Sequence, residues 1–450
     1  MTILPKHSLS VAEALGAARE TRQLEIGAGC NRYALRLVRE QFGTRPSVVI
    51  ADENTFKAAG RGVWESLRHA ETGTLEPFVF PAPGLYADHR FVEQLEASLK
   101  QHDAIPVAVG SGTINDVTKL ASHRAGRPYV CVATAASMDG YAAFGASITF
   151  QGAKQTFRCA APRAILADLE VIATAPGLMN SWGYADLLAK VTAGADWLLA
   201  DGLEVEPLDS GSWTIVQGRL REMVSDPEGV RGGRPDAITR LVEGLMLGGF
   251  GMQSARSSRP ASGAEHQFSH LWDMQHHTHE GAPPSHGFKV AIGTLAVTAL
   301  YEHLLDQRLE RLDVEACCSA WPDEASWEPR ARALLGEGDL AAVAANELLA
   351  KHSTVAQLRA QLETLRAVWP VLRERLRDQL LPLRVLRQML ERVGAPTEPE
   401  QIGITRARLR QSYWQAFCIR RRFTVLDLAV RTRLLNGALD KIFGVHGVWP

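Results

Sequence analysis

Pro106-Val-Ala-Val109 runs directly into Gly110-Ser-Gly-Thr-Ile-Asn-Asp116, and no other junction in the 450-residue chain limits its fold as tightly. A β-rich apolar run, then glycines, then helical spacing over Thr113 to Arg124, then a second β-rich run at Tyr129-Val-Cys-Val-Ala133 is the rhythm of a βαβ unit. Ser47-Val-Val-Ile-Ala51 supplies a further strand, and strand and helix signals alternate from Arg45 to Asp168. This predicts an α/β domain with a parallel sheet over residues 1–176. After Ala175-Pro176-Gly177 the strand signals fade and apolar residues recur every three or four positions, which predicts an all-α domain over 177–450. In that half Leu358, Leu362, Leu365, Val368, Leu372, Leu376 and Leu380 form a stripe that reads as domain core, with Pro370 and Pro382 expected to interrupt or kink it.

A chain of 450 residues is too long for one ordinary core, in keeping with two domains. Lys and Arg number 49 against 50 Asp and Glu, a net charge of −1, which argues against a nucleic-acid partner. Arg420-Arg421-Arg422 is read as helix charge and not as a binding patch. Met1 to Ser10 lacks the apolar run of a signal peptide, and no stretch reads as the roughly 20 apolar residues that span a bilayer, so a cytoplasmic chain without a membrane span is expected. The six cysteines carry no CxxC pair and are expected to be buried thiols.

Glycines between a strand end and a helix N-terminus let a pyrophosphate approach main-chain N–H groups, where the helix dipole favours its charge. Ser111 and Thr113 add hydroxyl donors to that turn. Asp52, just past the Val48 to Ala51 run, is either a ribose-binding carboxylate that would favour NAD over NADP or an ordinary loop-capping Asp.

Six of the fourteen histidines fall between His266 and His286. His266 and His270 share one face of any helix that holds both, and His286 opens a second helix to Leu305. Two histidines and a carboxylate with an open position make a typical catalytic site for a divalent ion. Gly183-Tyr-Ala-Asp186-Leu-Leu offers the carboxylate, an acid in an apolar helical stretch where an unpaired charge is costly. Asp139, in the loop after the third strand, reads as a substrate contact or a turn-forming Asp-Gly. His276, His277 and His279 read as a mobile, solvated loop.

Taken in order, Gly110 to Asp116, Thr134-Ala-Ala-Ser-Met-Asp-Gly140, Ala167-Asp168, Gly183 to Leu187, Ser262-Gly-Ala-Glu-His266 and His286-Gly287 resemble the glycerol-1-phosphate dehydrogenase family, its bacterial branch most closely. That family lies in the iron-containing alcohol dehydrogenase and dehydroquinate synthase-like superfamily. The resemblance implies that Asp186, His266 and His286 bind one divalent metal, zinc or nickel, and that Asp139, Asp186 and His270 meet the substrate. It implies that Gly110, Ser111, Gly112, Thr113, Ile114, Thr134, Ala135, Ala136 and Ser137 line NAD or NADP, with Asp52 near the adenosine end. Ala143 departs from the family, whose members often carry Ser there, so one hydroxyl contact to the cofactor would be missing.

The expected reaction is reversible reduction of dihydroxyacetone phosphate, with Asp139 and His270 as the catalytic pair that moves the proton. Arg259 and Lys289 are candidates for the substrate phosphate or else surface charges. A homo-oligomer is expected. The rival expectations are a glycerol dehydrogenase, a carbocycle-forming synthase and a non-catalytic ligand-binding relative.

Overall fold

The computed structural model describes the whole chain except residues 1, 3, 5–7, 70–72 and 151–152. Contacts divide it into two compact units, His7–Leu188 with Thr214–Pro260, and Ala189–Trp213 with Ala261–Pro450 and the N-terminal Met1–Lys6.

The first unit is built on a six-stranded sheet of β1 (Gln23–Gly27), β2 (Ser47–Asp52), β3 (Phe78–Phe80), β4 (Ile105–Gly110), β5 (Val130–Ala133) and β8 (Ala164–Asp168). β6 (Ala146–Phe150) and β7 (Ala153–Phe157) form a separate antiparallel ribbon. Every pairing in the six-stranded sheet is parallel. β4, β5 and β8 are buried along their whole length, which explains why they read as continuous apolar runs without alternation.

The strand order is β1-β8-β5-β4-β2-β3. β3 lies on one side of β2 and the later strands lie on the other, so the winding reverses between β2 and β4. In open α/β sheets the carboxyl ends at such a reversal border the ligand crevice. α1 (Gly112–Arg124) follows β4, and α2 (Leu178–Leu188) and α4 (Pro235–Ala255) also belong to this unit.

The second unit is helical. It contains α3 (Lys190–Gly202), α5 (Ala264–Met274), α6 (His286–Leu305), α7 (Val355–Gln379), α8 (Arg406–Cys418) and α9 (Val425–Arg431) among other helices. Of the expected interruption or kink at Pro370, the interruption is absent: α7 runs through it. Pro370 is exposed, whereas Leu358, Leu362, Leu365, Trp369, Leu372 and Leu376 are buried on another face, and that burial outweighs one lost backbone hydrogen bond. Trp369 takes the core position expected of Val368.

The sequence reading also missed that α6 has the length and hydropathy of a membrane span. Of its most apolar window 83% is buried within the protein, which makes it a core helix. All six cysteines are buried and free. Arg421 pairs with Glu347 at 2.6 Å and Arg422 donates to the Ser262 carbonyl at 2.6 Å, though the three arginines follow α8 as irregular chain and do not lie on a helix.

Candidate active site

β4 ends at Gly110 and α1 starts at Gly112, so the glycines do lie between strand and helix N-terminus. Ser111, Gly112 and Thr113 are partly exposed, while Ile114 is buried. A side chain at Gly110 would run into Ile114, 2.5 Å away, so local packing as well as phosphate access keeps this position glycine. Thr134 follows β5 and its N–H donates to the Gly110 carbonyl at 3.2 Å, bringing the two candidate cofactor segments side by side. Thr134, Ala135, Ala136 and Ser137 are buried.

Asp52 stands at the end of β2. Because Ile50 pairs with Ala108, Asp52 and Gly110 come at the same level two residues further on, at the reversal of winding. Asp52 caps the next helical turn: Oδ1 accepts the Asn54 N–H at 2.8 Å and the Thr55 N–H at 3.0 Å. The capping role weighed from the sequence is thus built.

Lys119 escaped the sequence reading. Its fully buried ammonium donates to the carbonyls of Gly140 at 2.9 Å, Ala143 at 3.0 Å and Gly145 at 3.0 Å, fastening the loop after Asp139 to α1. No local signal marked it, since its helix is largely polar and Asp116 lies one turn before it, 3.7 Å away. Asp168, by contrast, serves the main chain, accepting the N–H groups of Gly29 and Asn31 at 2.9 Å each.

The segment from Ala136 to Ala142 lies on α2 and α4. A side chain at Gly183 would come 2.0 Å from the Ala136 carbonyl oxygen, so only glycine lets α2 approach this closely. The approach brings the Asp139 N–H to 3.0 Å from Asp186 Oδ2. Asp186 is fully buried.

His266 and His270 lie on α5 and His286 is the first residue of α6, whose N-terminus is capped by Ser285. The ring centres of His266 and His286 are 5.2 Å apart, and His270 is 6.3 Å from His266 and 6.2 Å from His286. His266 Nδ1 contacts Glu265 Oε1 at 2.8 Å, and His286 Nδ1 contacts Ser269 Oγ at 3.2 Å. An Nδ1–H donated to these oxygens leaves Nε2 as the lone-pair nitrogen on both rings, the usual outer-shell arrangement of metal-bound histidine.

Burial alone would raise the Glu265 carboxyl, but the hydrogen bond and charge of His266, with main-chain N–H groups, hold it below the usual carboxylate range. The helical unit thus supplies two imidazoles with ring centres 5.2 Å apart, and the first unit supplies the buried carboxylate of Asp186. Two imidazoles and one carboxylate suit a divalent ion, and the outer contacts orient both imidazoles for it.

Two readings are corrected. Of the alternatives for Arg259 and Lys289, surface charge is excluded: both are buried, and Lys289 pairs with Asp273 of α5. Nor are the intervening histidines uniformly solvated. His277 bridges the Ile402 carbonyl at 2.6 Å and Arg408 at 2.8 Å, because residues 399–408 fold back onto the end of α5. His276 is exposed, as expected.

Residues 25–176 match the family model described as iron-containing alcohol dehydrogenase, the class to which a parallel sheet followed by a helical, metal-competent half points. The glycerol-1-phosphate dehydrogenase [NAD(P)+] of Halalkalibacterium halodurans is 31% identical over 66% of this chain and 74% of that protein. The protein of the same name from Pyrococcus furiosus is 37% identical over 62% of this chain and 78% of its own length. The chain belongs to the glycerol-1-phosphate dehydrogenase family. Its fold is also similar to that of a probable glycerol dehydrogenase from Sinorhizobium meliloti, at a TM-score of 0.60 and 16% identity, covering 94% of this chain and 98% of that one.

Proposed function

We propose that this chain is an sn-glycerol-1-phosphate dehydrogenase, which reversibly reduces dihydroxyacetone phosphate with NADH or NADPH at one divalent ion, zinc or nickel. The observation that carries the proposal is the pair of imidazoles His266 and His286, each backed at Nδ1, in a chain that shares 31% identity with a glycerol-1-phosphate dehydrogenase; the buried Asp186 completes the ligand set in this reading. When bound, the ion supplies Lewis acidity at the ketone oxygen and the reduced nicotinamide supplies hydride.

The chain's own residues do the rest. Asp186, His266 and His286 hold the ion. Gly110 to Ile114 and Thr134 to Ser137 receive the nucleotide, with residues 1–176 handling cofactor and lending Asp139 to the substrate, and 177–450 handling metal and substrate. His270, buried one turn beyond His266 on α5, delivers the proton to the substrate oxygen, and Asp139 orients the substrate beside it. Asp52 reaches the ribose hydroxyls in addition to capping its turn. The enzyme works in the cytoplasm as a homo-oligomer.

The test is NADH and NADPH oxidation by metal-reconstituted protein, with dihydroxyacetone phosphate against dihydroxyacetone. Turnover confined to the phosphorylated ketone is expected. Equal or better turnover of dihydroxyacetone would reassign the chain to glycerol oxidation, and no turnover of either in the zinc- and nickel-loaded protein would overturn the reaction.

A further inference from the structure

Glu265 is fully buried, and both of its carboxylate oxygens are engaged. Oε1 accepts the Gly263 N–H at 2.6 Å and meets His266 Nδ1 at 2.8 Å, while Oε2 accepts the Thr192 hydroxyl at 2.9 Å. No lysine or arginine among the described residues pairs with it; its one ion-pair partner is His266. A buried carboxylate without a cation is costly. The main chain of Glu265 is also packed against α6: a side chain at Gly293, two turns along from His286, would come 2.4 Å from the Glu265 carbonyl oxygen.

We propose that Glu265 is a positioning residue for the metal, fixing His266 in the tautomer that presents Nε2 and supplying the second negative charge that balances the ion. The inference rests on the reading of Asp186, His266 and His286 as ligands. A divalent ion on Asp186 and two neutral imidazoles leaves one positive charge uncompensated, and Glu265 cancels it one hydrogen bond away. His286 Nδ1 meets the neutral Ser269 hydroxyl at 3.2 Å where His266 Nδ1 meets a carboxylate, so the two Nδ1 contacts differ in charge. A residue that merely capped the start of α5 would need the Gly263 contact alone; the Thr192 and His266 contacts hold the carboxylate plane against the imidazole.

Zinc affinity of the whole protein, read by chelator competition, tests this without substrate. Glu265→Gln keeps shape and removes charge, and is expected to weaken zinc binding by about 10- to 100-fold, with NADH binding unchanged. Ser269→Ala should weaken it less, by about threefold, because it removes a neutral hydrogen bond worth about 0.7 kcal/mol. Wild-type zinc affinity in a folded Glu265→Gln protein would overturn the proposal, as would Ser269→Ala having the larger effect. If Glu265→Gln does not fold, Thr192→Val carries the test: about threefold weaker zinc binding is expected from loss of one neutral hydrogen bond, and unchanged affinity overturns the proposal. A failed reductase assay would overturn the substrate assignment and leave this one standing, because the titration involves no substrate.

Discussion

The turn between β4 and α1 and the paired helices α5 and α6, the two candidate binding surfaces, are built from different materials. At the turn the donors are main-chain N–H groups left over at a helix N-terminus, and the side chains there are small and partly exposed. In the helices the donors are the imidazoles of buried His266 and half-buried His286, each held from behind by another side chain. A surface of main-chain groups tolerates the loss of one side chain, because its neighbours still donate. A surface of buried side chains does not, because each loss strands a polar partner away from water.

The largest expected effect is therefore on the helical side. His266→Ala should abolish stoichiometric metal and lower kcat/KM by at least about a thousandfold, or about 4 kcal/mol of transition-state stabilisation. Metal analysis beside the reductase assay checks it, and retained metal with retained turnover would remove His266 from the site.

Lys119→Met comes next and tests whether the sheet side also depends on a buried side chain. Stranding the carbonyls of Gly140, Ala143 and Gly145 should cost about 3 kcal/mol in urea unfolding, with zinc affinity of the folded fraction preserved. A stability loss under about 1 kcal/mol would mean that water replaces the ammonium without penalty.

Thr113→Ala should weaken NADH binding by only about tenfold, or about 1.4 kcal/mol, and leave zinc affinity untouched. A collapse of cofactor binding here would break the contrast between main-chain and side-chain surfaces.

Asp52→Ala should have the smallest effect, about 1 kcal/mol of stability from the lost cap. If Asp52 also meets the ribose, the same variant shifts preference towards NADPH in paired kcat/KM measurements. An unchanged ratio leaves the capping role alone.

The same contrast governs what could be read in advance. The strands at 47–51, 106–109 and 129–133 are found within a residue or two of their expected bounds, since fully buried parallel strands announce themselves as apolar runs. β1, Gln-Leu-Glu-Ile-Gly, carries no such run. It is partly exposed along its length and takes its place only by pairing with β8. Asp186 was legible as a lone acid in an apolar stretch. Lys119 gave no such signal, because its helix is polar and Asp116 stands one turn before it. Glu265 lay inside a quoted motif, yet nothing local separates it from a surface glutamate; its role depends on Thr192 and Gly293 folding onto it from other helices.

The sequence by itself determined the alternation of strand and helix, the glycine turn, the helix that opens at His286 and the residue types of the metal group, because each follows from periodicity or from a charge that its neighbours cannot explain. Only the tertiary structure decided that α7 passes through Pro370, that Arg259 and Lys289 are buried, and that Glu265 stands behind His266. These depend on which faces meet, and the energy of burying a face or pairing a buried charge is supplied by residues distant in the chain.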